Sequence, residues 1–165
     1  MGMQRLHNAD WGFESNCFVC EPRNSVGLHI PFDHDRDIGC VTAEFTLDDR
    51  FSGAPKFVHG GIVLAILDEA MAWATIAVGG KFAVTKDTST TFDHPVYVER
   101  TYRVEAFVDE ISDAAMATRA HVLDAKNRRC AEARARFIVL SAAKARAAIG
   151  EVTGGDARML RDAPN

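Results

Sequence analysis

The sequence predicts an α+β domain in which a curved antiparallel sheet wraps around one long central helix. Three observations carry that expectation. One strongly apolar segment, residues 60–78, has helix length and ends on Gly79-Gly80. Four extended segments follow it, with β-branched or alternating residues and no second long helix between them. The helix carries more apolar surface than one face can bury, so the sheet has to surround it.

Residues 1–15 are polar and irregular and read as an arm or a short helix. Residues 17–27 are rich in turn formers and read as a loop. Residues 28–32 and 40–47 read as short strands joined by the charged turn Asp33-His34-Asp35-Arg36-Asp37. Residues 48–58, with Gly53 and Pro55, connect them to the helix. After the helix, residues 82–92 read as a threonine-rich strand. Residues 98–110 form a second, with Tyr102, Val104, Ala106 and Val108 on one face. Residues 114–123 alternate less cleanly, and a hairpin turn at Asp124-Ala-Lys-Asn127 leads into residues 129–140. In that last strand Glu132, Arg134 and Arg136 lie opposite Ala133, Ala135, Phe137 and Val139. Residues 142–165 should start helical and end in a frayed tail. The division is an arm over residues 1–16, one domain over 17–142 and a tail over 143–165.

The 165 residues are 47% hydrophobic and 25% charged, which suits a globular domain with one continuous core. A net charge of −4 excludes the basic footprint of a nucleic-acid binder, so any anionic ligand has to be held by local groups. Residues 1–10 show no signal-peptide pattern, and Asp68 and Glu69 interrupt the longest apolar run, which argues against a membrane span. The four cysteines then read as thiols, and the expected location is cytoplasmic.

His59-Gly60-Gly61 opens the helix. Two glycines there lower helix stability, but they let a ligand approach backbone amides that have no intrahelical acceptor. That combination suits an oxyanion hole, and an ordinary glycine cap is the plainer alternative. Asp68 sits among apolar residues on the face shared by Gly61, Leu64, Ala65, Met71, Ala72 and Thr75. A carboxylate on that face is costly unless it is paired or active. Glu69 is turned about 100° away and is grouped with Arg134 and Arg136 as a substrate-binding candidate. Gly60 and Asp68 lie about 12 Å apart along one helix, whereas a reacting carbonyl needs both groups at about 3 Å. Two antiparallel copies of the helix satisfy that requirement, so the pattern points to a dimer with shared sites.

The run His59-Gly60-Gly61-Ile-Val-Leu-Ala-Ile-Leu-Asp68-Glu69-Ala70 resembles the signature of hotdog acyl-CoA thioesterases of the phenylacetate-degradation (PaaI-like) type. Cys17-Phe-Val-Cys20, followed by Asn24 and Gly27-Leu28, resembles a bacterial subgroup of them, and the likeness extends over residues 17–140. The resemblance implies the hotdog fold and hydrolysis of acyl-CoA, without a cofactor, by a homodimer or a dimer of dimers. It implies that the Gly60 amide donates to the thioester oxygen. Asp68 of the neighbouring subunit would activate water or attack directly, with Thr85 a secondary candidate. The sequence departs from several relatives at Gly53, where they carry asparagine, so water positioning must differ. His59 is expected to brace the loop rather than act as a base. A hotdog hydratase or dehydratase and a non-catalytic acyl-CoA-binding protein are the alternatives.

Cys17-x-x-Cys20 could make a tetrahedral zinc site with His29, His34 or Cys40. No second Cys-x-x-Cys follows and those partners have no established spacing, so packed thiols and no metal are expected.

Overall fold

The computed structural model describes residues 2–150. Helix α1 (Gly60–Ala77) forms where the sequence places it, because alanine, leucine, isoleucine and methionine fill its interior. The His59 side chain accepts a hydrogen bond from the Gly61 amide and caps its start. At the other end the amides of Val78 and Gly79 both donate to Ala74 O, and Gly80 turns the chain at φ +73°. Gly79 is required by packing, since a Cβ there would lie 2.5 Å from Met116 Sδ and 2.7 Å from Thr75 O.

Among the described residues, seven antiparallel strands form one sheet around this helix, in the order β1-β2-β3-β5-β6-β7-β4. They are β1 (Met3–Arg5), β2 (Asp33–Asp35), β3 (Cys40–Thr46), β4 (Ala83–Phe92), β5 (Thr101–Ile111), β6 (Ala115–Leu123) and β7 (Arg129–Val139). Strands β3 to β7 all pack on α1. The alternation in the sequence sets which face does so: Tyr102, Val104 and Ala106, then Met116, Ala120 and Val122, then Ala131, Ala133 and Phe137 are buried. Thr118, buried in the same row, donates to Ala135 O and so is satisfied. By length and hydropathy α1 could cross a membrane, but here it is the core helix of the fold. Helix α2 (Ala142–Ile149) follows β7, capped by Ser141 and with Ala145 buried, and the tail expected beyond residue 150 lies outside the described residues.

The N-terminal third departs from the sequence expectation. Residues 28–32 form no ladder strand, although Leu28, Ile30 and Phe32 are buried in alternation. His29 sits at φ +55° and Pro31 has no amide hydrogen, so the chain cannot hold a regular strand there. Leu28 and Ile30 donate instead to the carbonyls of Phe18 and Val19. The strand falls on Asp33–Asp35, inside the segment expected to be a turn, and it pairs with both β3 and β1. The arm is built into the fold as well: Met3–Arg5 extends the sheet, while Leu6 and Phe13 enter the core. A polar edge strand gives no two-residue hydrophobic alternation to read, which is why β1 and β2 are hidden in the sequence.

Candidate active site

The residues that pattern and spacing single out gather along one side of α1. At its start His59 Nδ1 accepts from the Gly61 amide at 2.9 Å, which fixes His59 as the cap and occupies Gly61. The neighbouring Gly60 amide has no acceptor among the described residues, and Gly60 is exposed. A Cβ on Gly60 would meet only the Phe92 ring, at 3.8 Å, an ordinary contact. Packing within the subunit therefore does not demand glycine at position 60. What the absent side chain leaves is open access to an amide at the positive end of a helix, suited to a developing negative charge.

Two turns further along, Asp68 keeps partial exposure on a stripe with Gly61, Leu64, Ala65 and Ala72. Thr85 Oγ1 donates to Asp68 Oδ1 at 2.6 Å, and no basic side chain pairs with Asp68 among the described residues. Thr85 stands beside a bulge in β4, where the register with β7 shifts between Thr85 and Asp87. The extra residue bends an exposed edge strand next to the helix carboxylate. Gly60 and Asp68 belong to one unbroken helix, so the separation of about 12 Å holds within the subunit. A cavity of about 410 Å³ adjoins Thr85, lined by Phe13, Trp73, Ile76, Phe82, Val84 and Phe137 together with Cys17 and Glu69.

Glu69 turns away from Asp68, as its position on the helix requires, and meets the N-terminal loop, with Cys17 Sγ 3.2 Å from its Oε1. Burial, then the nearby Cys17 sulfur, pushes the Glu69 carboxyl up to about 8. The hydrogen bond between the two thiols brings Cys17 down to about 5, helped by the amides of Cys20 and Val19. Cys20 is raised, first by that shared hydrogen bond and then by burial. Cys17, Cys20 and Glu69 thus form one acidic cluster, and neither His29, His34 nor Cys40 joins it. The zinc partners weighed from the sequence, His29, His34 and Cys40, lie elsewhere, and Glu69 stands beside Cys17. The signal for Glu69 was a second carboxylate on an otherwise apolar helix.

Arg134 and Arg136 lie on the outer face of β7, opposite the buried Phe137. Arg136 pairs with Asp87 at 2.6 Å and Arg134 with Glu132 at 3.5 Å. Neither arginine pairs with Asp68.

Residues 56–131 match the family model of the thioesterase superfamily. No curated protein matches the chain by sequence. Among solved structures, a thioesterase superfamily protein aligns at 23% identity and TM-score 0.71, covering 78% of this chain and 64% of its own. A putative thioesterase from Ralstonia eutropha JMP134, described as phenylacetic acid degradation-related, aligns at 20% identity and TM-score 0.62. That alignment covers 72% of this chain and 91% of the other. A Streptococcus mutans UA159 protein bound to acetyl-CoA aligns at 19% and 0.59, covering 62% and 82%. The likeness read from the run His59 to Ala70 is borne out, and the fold is the hotdog.

Proposed function

We propose that this hotdog protein of the thioesterase type hydrolyses acyl-CoA thioesters to the free acid and CoA. The observation that carries the reading is the Asp68 carboxylate: it lies partly buried on the core helix, has no basic partner among the described residues and is held by the Thr85 hydroxyl. A carboxylate kept accessible at such a position is placed at a cost that activity explains. In this reading Asp68 activates water or attacks the thioester carbon, and Thr85 orients it. The Gly60 amide takes the developing oxyanion and His59 holds the turn that presents that amide. The acyl group would occupy the apolar cavity beside Thr85.

The site is proposed to be shared by two subunits, since Gly60 and Asp68 of one chain are too far apart to act on one carbonyl. Two surfaces support that. The helix stripe around Leu64, Ala65 and Asp68 keeps apolar exposure, and edge strand β4 leaves Val84 40% and Phe92 54% exposed. A homodimer, or a dimer of dimers, would cover both.

The test is a panel of short, medium, long and aryl acyl-CoAs with detection of released thiol. Asp68→Ala should lose at least about two orders of magnitude in kcat, and Thr85→Val about one, with both variants folded by circular dichroism. If no acyl-CoA is turned over, or Asp68→Ala works at the wild-type rate, the reading is wrong.

A further inference from the structure

We propose that Cys17, Cys20 and Glu69 bind a divalent transition metal of the zinc class, which clamps the N-terminal loop to α1. Their two sulfurs and one carboxylate oxygen all lie within 4.8 Å of one another. Ligands on one tetrahedral zinc are about 3.3–3.8 Å apart at usual bond lengths, so small side-chain adjustments close the site. The turn is already shaped for a metal-bound thiolate. The amides of Val19 and Cys20 both point at Cys17 Sγ, at 3.4 and 3.5 Å, and would support negative charge on it. Asn8 Nδ2 lies 3.9 Å from Cys20 Sγ and offers the second sulfur a similar donor.

Glu69 decides between this and the two simpler accounts. It forms no ion pair with any basic residue among those described, although it sits against two thiols inside the fold. Thiols packed as small apolar groups would have no use for a carboxyl between them. A Cys17–Cys20 disulfide would remove the Cys17 thiol that donates to Glu69. A divalent cation satisfies all three groups at once, and binding releases to solvent the protons they hold. Thiolate ligands select zinc-like ions over magnesium or calcium. Three protein ligands leave the fourth position for solvent, because Cys17 and Glu69 line one cavity and Cys20 the next. The clamp would tie the loop to α1 one residue beyond Asp68. The cluster would bind metal whether or not the protein is a hydrolase.

Cobalt(II) provides a direct reading. The full chain, purified under reductant and stripped with a chelator, should bind one equivalent with sulfur-to-cobalt charge-transfer absorption. The melting temperature should rise on addition of zinc. Cys17→Ser and Cys20→Ser should each abolish the band. Glu69→Gln should weaken binding by more than the 10–100-fold typical of an outer-shell partner. Folding of each variant is checked by circular dichroism, and the zinc-dependent melting shift of the wild type provides a measurement that needs no variant. Two freely titrating thiols without a stoichiometric cobalt band would overturn the proposal. So would a Cys17–Cys20 disulfide in place of metal, or unchanged affinity in Glu69→Gln.

Discussion

Glycines at positions 60 and 79 flank the same helix and are glycine for opposite reasons. Gly79 has no room for a side chain, while Gly60 has room and nothing to fill it. Gly79→Ala should therefore destabilise the protein by about 1–3 kcal/mol through overpacking, with kcat little changed in the folded fraction. Gly60→Ala should leave stability unchanged or raise it by up to about 1 kcal/mol, since alanine is the better helix former. It should nevertheless slow hydrolysis, because the added methyl obstructs the thioester's approach to an amide that itself remains. Urea unfolding and thiol-release kinetics on the pair separate the two roles, and an active Gly60→Ala enzyme would remove Gly60 from the site. Asp68 and Glu69 make the same point with side chains. The helix turn between them sends Asp68 to Thr85 and the open stripe, and Glu69 to Cys17 and the interior. The sequence separates their directions; which partner each meets depends on strands and loops far along the chain.

Among the elements, α1 was legible from its length and apolar run, β5 to β7 from their alternating burial, and the exposed β4 from its β-branched residues. The edge was not. Strands β1 and β2 consist of Met3–Arg5 and Asp33–Asp35, mostly polar residues held by backbone pairing and by the Arg5–Asp33 ion pair at 2.7 Å. The segment read as an arm carries Leu6 and Phe13 into the core, where the Phe13 ring meets Phe82 edge-on at 6.3 Å. Deleting residues 2–16 should accordingly cost about 3–6 kcal/mol, the burial of one leucine and one phenylalanine side chain. Denaturant midpoints of the two proteins measure it, and a loss below about 0.5 kcal/mol would mean that the segment is a dispensable arm after all.

For the whole molecule the governing distance is the span of about 12 Å from Gly60 to Asp68. If the site is shared, damage at one end should complement damage at the other. Gly60→Val and Asp68→Asn homodimers should each be nearly inactive. A mixed dimer made by coexpression with two tags combines both defects in one site and leaves the other intact, so up to about half of wild-type activity per dimer should return. Purified mixed dimers as inactive as their parents would sink the shared site, given confirmed folding and dimerisation. Arg134 and Arg136 belong to this scale too. They form exposed ion pairs with Glu132 and Asp87.

From the sequence alone came the α+β class, the bounds of the core helix within a residue, and a hotdog resemblance that the thioesterase-superfamily match over residues 56–131 bears out. Thr85 came only from the family resemblance, whereas Gly60 and Asp68 stood out in the sequence itself. These features are local or periodic: helix propensity, alternating burial and a glycine pair at a helix start are written in neighbouring residues. Only the tertiary structure decided that Thr85 donates to Asp68 across 17 positions, or that Cys17 and Cys20 meet Glu69 across about 50. Both cysteines pack against the core as expected thiols, and the carboxyl beside them was not part of that expectation. Such contacts depend on how the sheet curves around the helix and where a bulge bends its edge, and no spacing within the chain encodes them.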